Sequence, residues 1–111
     1  MPAYAIFDNL EVLDPESLAQ YKDAVAPVVE RYRGRYLALG GRVDRMEGSW
    51  IPTFPVIIEF PSLEDAHRWY ASDDYRDLKA LRLSAVRSNA VFVEGLLDYR
   101  GGADDESFRG S

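Results

Sequence analysis

The segment from Val56 to Phe60 constrains the fold more than any other part of the sequence. It is rich in β-branched residues, which is typical of a strand. As a strand it would place Val56, Ile58 and Phe60 on one face of a sheet. Ile57 and Glu59 would lie on the other face. Because a strand with one solvated face normally alternates apolar and polar residues, we expect both faces of this sheet to be covered.

Three other strands are predicted from runs of β-branched and aromatic residues. They cover Ala3–Val12, Arg35–Ser49 and Asn89–Leu97. The pair Gly40-Gly41 interrupts the second of these strands. We expect a bulge or a sharp bend at this pair, because Arg42–Glu47 resumes the extended pattern.

Two helical regions separate the strands. The first begins after the N-cap Asp14, and Gly34 is expected to close it. Pro27 lies inside this region and is expected to kink or restart the helix, since proline removes one helical hydrogen bond. The second region begins after the N-cap Ser62 and is restarted by a second cap at Ser72.

The order of these elements predicts the fold class. Strand, helix, strand, strand, helix, strand is the α+β, ferredoxin-like βαββαβ arrangement, in which a four-stranded antiparallel sheet carries its helices on one face. The last strand also offers apolar residues to both faces, with Val91 and Val93 on one side and Phe92 on the other. Leaving such a face exposed would forgo about 1.5–3 kcal/mol of burial for each large side chain. We therefore expect a homodimer that pairs through the sheet faces. The alternative is a central strand partly covered by the C-terminal tail.

The length of 111 residues fits one compact domain and is too short for two. We place this ferredoxin-like α+β domain at residues 1–97. From residue 98 the composition changes to Gly, Asp, Ser and Arg. Residues 98–111 are therefore predicted to form a flexible acidic tail.

Composition excludes several classes of function. The formal charge of −6 argues against a nucleic-acid partner, which needs a basic surface. No apolar run approaches the length of a membrane span, and the N-terminus has no signal-peptide pattern, so no membrane partner is expected. The absence of cysteine fits a cytoplasmic protein. With one histidine and no phosphate-binding glycine motif, neither a metal nor a cofactor is expected.

Several short motifs follow one another along the chain: Gly34–Gly41, Glu47–Trp50, Val56–Ser62, Trp69–Ser72 with Tyr75, and Val93–Gly95. In combination they resemble the domain-of-unknown-function family 1330, a branch of the dimeric α/β-barrel superfamily. The resemblance implies two ferredoxin-like subunits whose sheets close into a shared barrel, with a pocket between sheet and helices. It implies no established reaction.

Two positions depart from the family's pattern. The family often carries arginine where this chain has Leu39, and again near the position of Phe54. If those arginines line the family's pocket, this chain has exchanged two cations for apolar surface. We therefore expect an apolar or aromatic ligand rather than an anionic one.

Aromatic and apolar residues are the candidates for binding that ligand, because tyrosine and tryptophan combine an apolar body with a polar tip. The predicted ligand-binding residues are Tyr36, Leu39, Phe54, Trp69, Tyr70 and Tyr75. Plain packing in the core or at an interface is the alternative role for these side chains.

Three residues are candidates for catalysis: Glu59, His67 and Tyr75. Desolvation in an apolar strand would raise the pKa of Glu59 towards the range of a general acid. The alternative for Glu59 is an ion pair with Arg42 or Arg82. His67 has a side chain that titrates near neutrality, although its place beside the apolar stripe predicts exposure. The hydroxyls of Tyr70 and Tyr75 would face one cavity beside Glu59.

Three functions are consistent with the sequence. The first is a small homodimeric protein that binds an apolar or aromatic molecule in a pocket between sheet and helices. The second is a cofactor-independent enzyme, similar to monooxygenases, isomerases or cyclases, with Glu59 or His67 as acid or base. The third is a structural dimer whose interior is filled by side chains.

Overall fold

The computed structural model describes residues 1–96, which form four strands and three helices in the order βαββααβ. The predicted tail, residues 98–111, lies outside the described residues, as does Leu97. The elements are β1 (Ala3–Val12), α1 (Pro15–Arg31), β2 (Arg35–Leu39), β3 (Pro55–Phe60), α2 (Leu63–Tyr70), α3 (Asp73–Ala85) and β4 (Val86–Glu94).

The strands form one antiparallel sheet in the order β2-β3-β1-β4. This order confirms the predicted ferredoxin-like fold, in which the helices lie on one face of the sheet. Val56, Ile58 and Phe60 are buried under the helices, whereas Ile57 and Glu59 of the same strand are half-buried on the other face. The two faces of β3 therefore divide as the sequence predicts.

The start of α1 follows the predicted cap, but its course through Pro27 differs from the prediction. Asp14 Oδ1 accepts a hydrogen bond from the Ser17 backbone N–H at 3.2 Å. The helix then continues without interruption to Arg31, so the predicted restart at Pro27 is wrong. Pro27 lies on the exposed side of the helix, and so does Asp23, whose carbonyl loses its helical partner at this proline and can bond to water instead.

The end of α1 also differs from the prediction, because Gly34 is not the left-handed residue there. That residue is Arg33, with φ of 69°. Gly34 follows it and donates its N–H to the Val29 carbonyl at 2.9 Å, as in a Schellman motif. A Cβ at Gly34 would lie 2.7 Å from a ring carbon of Phe60 and 2.7 Å from a methyl carbon of Val29. Glycine is needed here because the core packs directly against its backbone.

The second strand is shorter than predicted. β2 ends at Leu39, and Arg42–Glu47 does not resume an extended strand. The turn occurs at Gly40, whose φ of 82° is left-handed and whose N–H donates to the Pro55 carbonyl at 2.7 Å. The bulge in this strand lies between Tyr36 and Ala38, before the glycine pair at which it was predicted.

The last strand begins earlier than predicted. β4 starts at Val86, directly after the end of α3 and three positions before the predicted start at Asn89. Val86 pairs with Val12, and Arg87 pairs with Glu11 on the neighbouring strand. Because Arg87 and Ser88 are both polar, this part of the strand does not show the alternation of apolar and polar residues by which strands are predicted.

The centre of the core is a group of stacked aromatic rings. The Trp69 and Tyr75 rings have centroids 4.3 Å apart, and the Phe60 ring lies 5.4 Å from that of Trp69. Trp69 belongs to α2 and Tyr75 to α3, and the predicted second cap separates them: Ser72 Oγ accepts the Tyr75 backbone N–H at 3.1 Å.

Within residues 1–96 no helix is both long enough and apolar enough to cross a membrane.

The close approach at Gly34 leads to a prediction about stability. Gly34→Ala should lower the free energy of unfolding by about 1–3 kcal/mol, because the added methyl overpacks the core against Phe60 and Val29. Gly41→Ala is the matched control, since nothing lies within 4 Å of a Cβ at that position. Urea denaturation of both variants measures the difference. Equal stabilities for the two would contradict the packing described at Gly34.

Candidate functional site

A cavity of about 380 Å³ lies between the sheet and α1. Most of its wall is apolar, and the apolar side chains that line it include Phe7, Val25, Leu39, Phe54, Val56 and Ile58. The strand register explains this wall. Tyr36 pairs with Ile58 and Leu39 pairs with Val56, so these side chains share the face beneath the helices.

The Phe54 ring completes the wall at the end of the connection that leads into β3. Its position depends on Gly40, because a Cβ at Gly40 would collide with the Phe54 ring. Asp8 Oδ1 holds the same connection by accepting the backbone N–H groups of Thr53 at 2.9 Å and Phe54 at 3.2 Å. The ammonium of Lys22 lies 5.0 Å from the centroid of the Phe54 ring. This part of the cavity is therefore apolar, with one exposed cation beside it.

The polar end of the cavity is built around Arg82, which is only 4% exposed. Its Nε donates to the Tyr75 hydroxyl at 3.2 Å and its Nη1 to Ser88 Oγ at 3.0 Å. The guanidinium carbon lies 5.0 Å from the centroid of the Phe7 ring. None of the ion pairs formed within residues 1–96 includes Arg82. A buried cation without a carboxylate partner thus lines the cavity.

Tyrosine hydroxyls lie close to Arg82. The Tyr21 and Tyr75 hydroxyl oxygens are 2.9 Å apart. Burial raises the pKa of both groups, and for Tyr75 the nearby Arg82 cation partly opposes the effect. Burial also raises the pKa of Tyr36 to about 12. All three phenols are therefore neutral at physiological pH.

Asn9 belongs to the same end of the cavity. It lines the cavity and pairs across the sheet with Ser88, which in turn contacts Arg82. The Asn9 Oδ1 atom is buried and has no hydrogen-bond partner among residues 1–96.

The structure separates the predicted ligand-binding residues into two groups. Tyr36, Leu39 and Phe54 line the cavity. Trp69 is fully buried in the core, and Tyr75 is fully buried while its hydroxyl joins the polar cluster at Arg82.

The remaining predicted ligand-binding residue, Tyr70, lies apart from the cavity lining. It packs against Phe92, with ring centroids 5.8 Å apart, and under the ammonium of Lys79. Its contacts thus belong to the packing of α2 on β4 and α3.

The predicted catalytic residues are not brought together. Glu59 lies on the face of the sheet that carries no helix, where its Oε1 accepts from Arg35 Nε at 2.9 Å. Its partner is thus Arg35, and the predicted partners Arg42 and Arg82 are wrong. His67 is exposed on α2, and its ring centroid is 5.1 Å from that of Phe92. Neither Glu59 nor His67 lines the cavity described above.

Four polar residues that line the cavity were not among the predicted site residues: Asn9, Tyr21, Lys22 and Arg82. Arg82 carried a usable signal, since it follows Tyr75 by seven positions and so lies on the same face of α3. A cation on a buried helical stripe indicates a polar site in the interior. Asn9 gave no signal, because its burial depends on the strand register. Among residues 1–96 no group of three or more metal-binding side chains occurs.

Solved structures with the same fold come from several organisms. The RPA0582 protein of unknown function from Rhodopseudomonas palustris matches with a TM-score of 0.67 and 21% identity, over 87% of this chain and 84% of that one. A dimeric ferredoxin-like protein of unknown function from Jannaschia sp. CCS1 matches with a TM-score of 0.65 and 8% identity, over 86% of this chain and 100% of that one. At these identities the likeness establishes the fold alone.

Sequence comparison identifies the family. No curated protein is similar enough in sequence to count as a relative. The family model described as "Domain of unknown function (DUF1330)" matches residues 2–96, which is most of the chain. The chain therefore belongs to the DUF1330 family.

Proposed function

We propose that the protein is a homodimer in which each subunit binds one small, mainly apolar or aromatic molecule in the cavity between sheet and α1. The cavity itself carries the proposal. Its volume of about 380 Å³ lies at the low end of the roughly 300–1,000 Å³ typical of small-molecule sites. A cavity of this size supports the binding function over an interior filled by side chains.

The wall of the cavity favours a ligand with an apolar body. Phe54 and Leu39 close one end, and Val56 with Ile58 forms the floor. Because the polar groups cluster at the Arg82 end, they would orient the ligand along the cavity rather than surround it. Such a division between apolar wall and few polar groups is typical of selective small-molecule sites.

The helix-free face of the sheet supports the dimer. Strand pairing aligns Ile6 with Ile57 and with Val91, so these apolar side chains form one row across that face. Val91 is 58% exposed and Val93 is 47% exposed. The related protein from Jannaschia sp. is dimeric. Pairing of two such faces would bury apolar surface that a monomer leaves in water.

A cofactor-independent enzyme is the second candidate, and the polar cluster at Arg82 is what favours it. A cation next to neutral phenols would stabilise negative charge that develops on a bound substrate. The raised pKa values of Tyr21 and Tyr75 make these hydroxyls hydrogen-bond donors rather than bases. Since Glu59 and His67 lie elsewhere, the substrate or water would have to supply the base.

Filling the cavity should weaken the binding of a neutral aromatic probe. Ala26 lines the cavity, so Ala26→Leu should weaken the binding of indole by about tenfold or more, equivalent to ~1.4 kcal/mol. Ala24→Leu places the same side chain on the exposed side of the same helix and should leave binding unchanged. Amide chemical shifts during an indole titration give the affinities and the binding site.

Two outcomes would contradict the cavity as the binding site: equal indole affinities for the two variants, or indole shifts confined to the helix-free face. Native mass spectrometry of the freshly purified protein adds a test without a chosen probe. A retained small molecule should be present in the wild-type protein and lost in Ala26→Leu.

The dimer should dissociate when a charge is placed on the helix-free face. Sedimentation equilibrium of the wild type should give twice the chain mass of 12.6 kDa, and Val91→Lys should give the monomer mass. Leu83→Lys is the control, because Leu83 on α3 is 56% exposed and Val91 is 58% exposed. A monomeric wild type, or a Val91→Lys variant that stays dimeric, would refute pairing through this face.

The buried phenols should make the fold sensitive to alkali. An unfolded tyrosine loses its proton near pH 10, whereas the raised pKa keeps Tyr21 protonated in the folded chain. The stability is therefore complete below pH 10 and falls as the pH rises above it, by about 1.4 kcal/mol per pH unit for each phenol held protonated. For Tyr36 this loss spans pH 10 to about 12. Urea denaturation as a function of pH should show a shallower loss in Tyr21→Phe than in the wild type, and equal slopes would contradict the burial of this hydroxyl.

A further inference from the structure

We propose that the cavity selects an organic acid, whose carboxylate binds Arg82 and whose hydrocarbon or aromatic body lies against the apolar wall. This inference rests on the proposed function and adds the chemical class of the ligand. It reverses the expectation that the chain disfavours anions, because Leu39 and Phe54 form only the apolar end of the cavity. The cation that would bind the carboxylate is Arg82, at the opposite end of the cavity.

Arg82 carries a buried positive charge that no residue of the described chain neutralises. The guanidinium stays protonated at any physiological pH, and it is nearly completely buried. Its neighbours within residues 1–96 are two hydroxyls and an aromatic ring, none of which carries a full negative charge. Burying a cation without an anion is unfavourable, so the site is electrostatically incomplete without a bound anion.

Arg82 has more hydrogen-bond donors than its neighbours use. A guanidinium has five N–H donors. Nε serves Tyr75 and one Nη1 hydrogen serves Ser88, while Nη2 makes no hydrogen bond among residues 1–96. Arg82 lines the cavity, so a ligand can reach the remaining donors. The forked arrangement of these donors matches the two oxygens of a carboxylate.

Tyr21 adds a hydroxyl beside Arg82. The Tyr75 oxygen accepts from Arg82 Nε, and the Tyr21 and Tyr75 hydroxyl oxygens lie 2.9 Å apart. Either hydroxyl can donate in this pair, and when Tyr75 donates, the O–H of Tyr21 is free for a further partner. Because Tyr21 lines the cavity, a carboxylate bound to Arg82 would favour this arrangement by accepting from Tyr21.

The polar side chains that line the cavity are Asn9, Tyr21, Lys22, Tyr36 and Arg82, and none of them is acidic. A bound anion would therefore meet no like charge in the lining formed by residues 1–96.

Two probes of equal shape test this inference: 3-phenylpropanoate and its neutral analogue 3-phenylpropanamide. Isothermal titration at neutral pH should give the wild-type protein a Kd for the acid at least about tenfold lower than for the amide, since hydrogen bonds to charged groups are the stronger ones. The preference should persist at high salt, because a buried pair is screened much less than a surface pair with Lys22.

Variants of the side chains at the polar end of the cavity show which of them causes the preference for the acid over the amide. Arg82→Met should remove the preference, because it weakens binding of the acid more than binding of the amide, and Tyr21→Phe should reduce the preference. Arg76→Met is the matched control, because Arg76 lies on the same helix, is exposed, and loses the same charge. Arg82→Met is expected to fold, since an apolar side chain of similar length replaces an unpaired buried charge.

The possible results separate this inference from the proposed function. Equal affinities for acid and amide in the wild type, with indole still bound, would overturn the acid-binding inference and leave the cavity as a binding site. A preference that survives Arg82→Met or disappears at high salt would also overturn it. If indole, acid and amide all fail to bind, the proposed binding function fails, and this inference with it. The wild-type comparison of acid with amide decides the question even if a variant does not fold.

Discussion

The contact on which the interior depends is the packing of Trp69 against Tyr75 across the break between α2 and α3. The ring centroids are 4.3 Å apart, and the Ser72 cap makes the break possible by accepting the Tyr75 N–H. Because both rings are fully buried, they fix where α3 starts on the sheet. Two turns later along the same face, α3 places Arg82 over the ring of Phe7. The contact between Trp69 and Tyr75 therefore also determines where the buried Arg82 cation lies.

The two faces of the sheet have different roles, as the side chains of β3 show. On β3, Val56 and Ile58 contribute to the cavity, whereas Glu59 on the opposite face pairs with Arg35. A carboxylate within this apolar strand therefore faces away from the cavity. Its cross-strand neighbours on that face are Tyr4 and Arg35, and Arg35 keeps the charge paired.

The sequence was sufficient to predict the fold but not the polar half of the site. Alternation along β3 and the caps at Asp14 and Ser72 are local signals, and the fold follows from their order. The site depends on contacts between elements distant in the sequence: Tyr21 and Tyr75 are 54 positions apart, and their hydroxyls meet at 2.9 Å. No local pattern reports such a contact. The resemblance drew attention to Leu39 and Phe54, which line the cavity, while Arg82 at its other end was considered only as an ion-pair partner of Glu59.

The junction between α3 and β4 explains why Arg82 can be held ready for a ligand. The helix passes into the strand without a loop, since Val86 is both the C-cap of α3 and the first residue of β4. Arg82 lies before this junction and Ser88 after it, and the hydrogen bond between them at 3.0 Å spans it. The guanidinium is thus fixed from the helix side by Tyr75 and from the strand side by Ser88. A binding group held in place before the ligand arrives loses little conformational entropy on binding, which favours affinity in a cavity as small as this one.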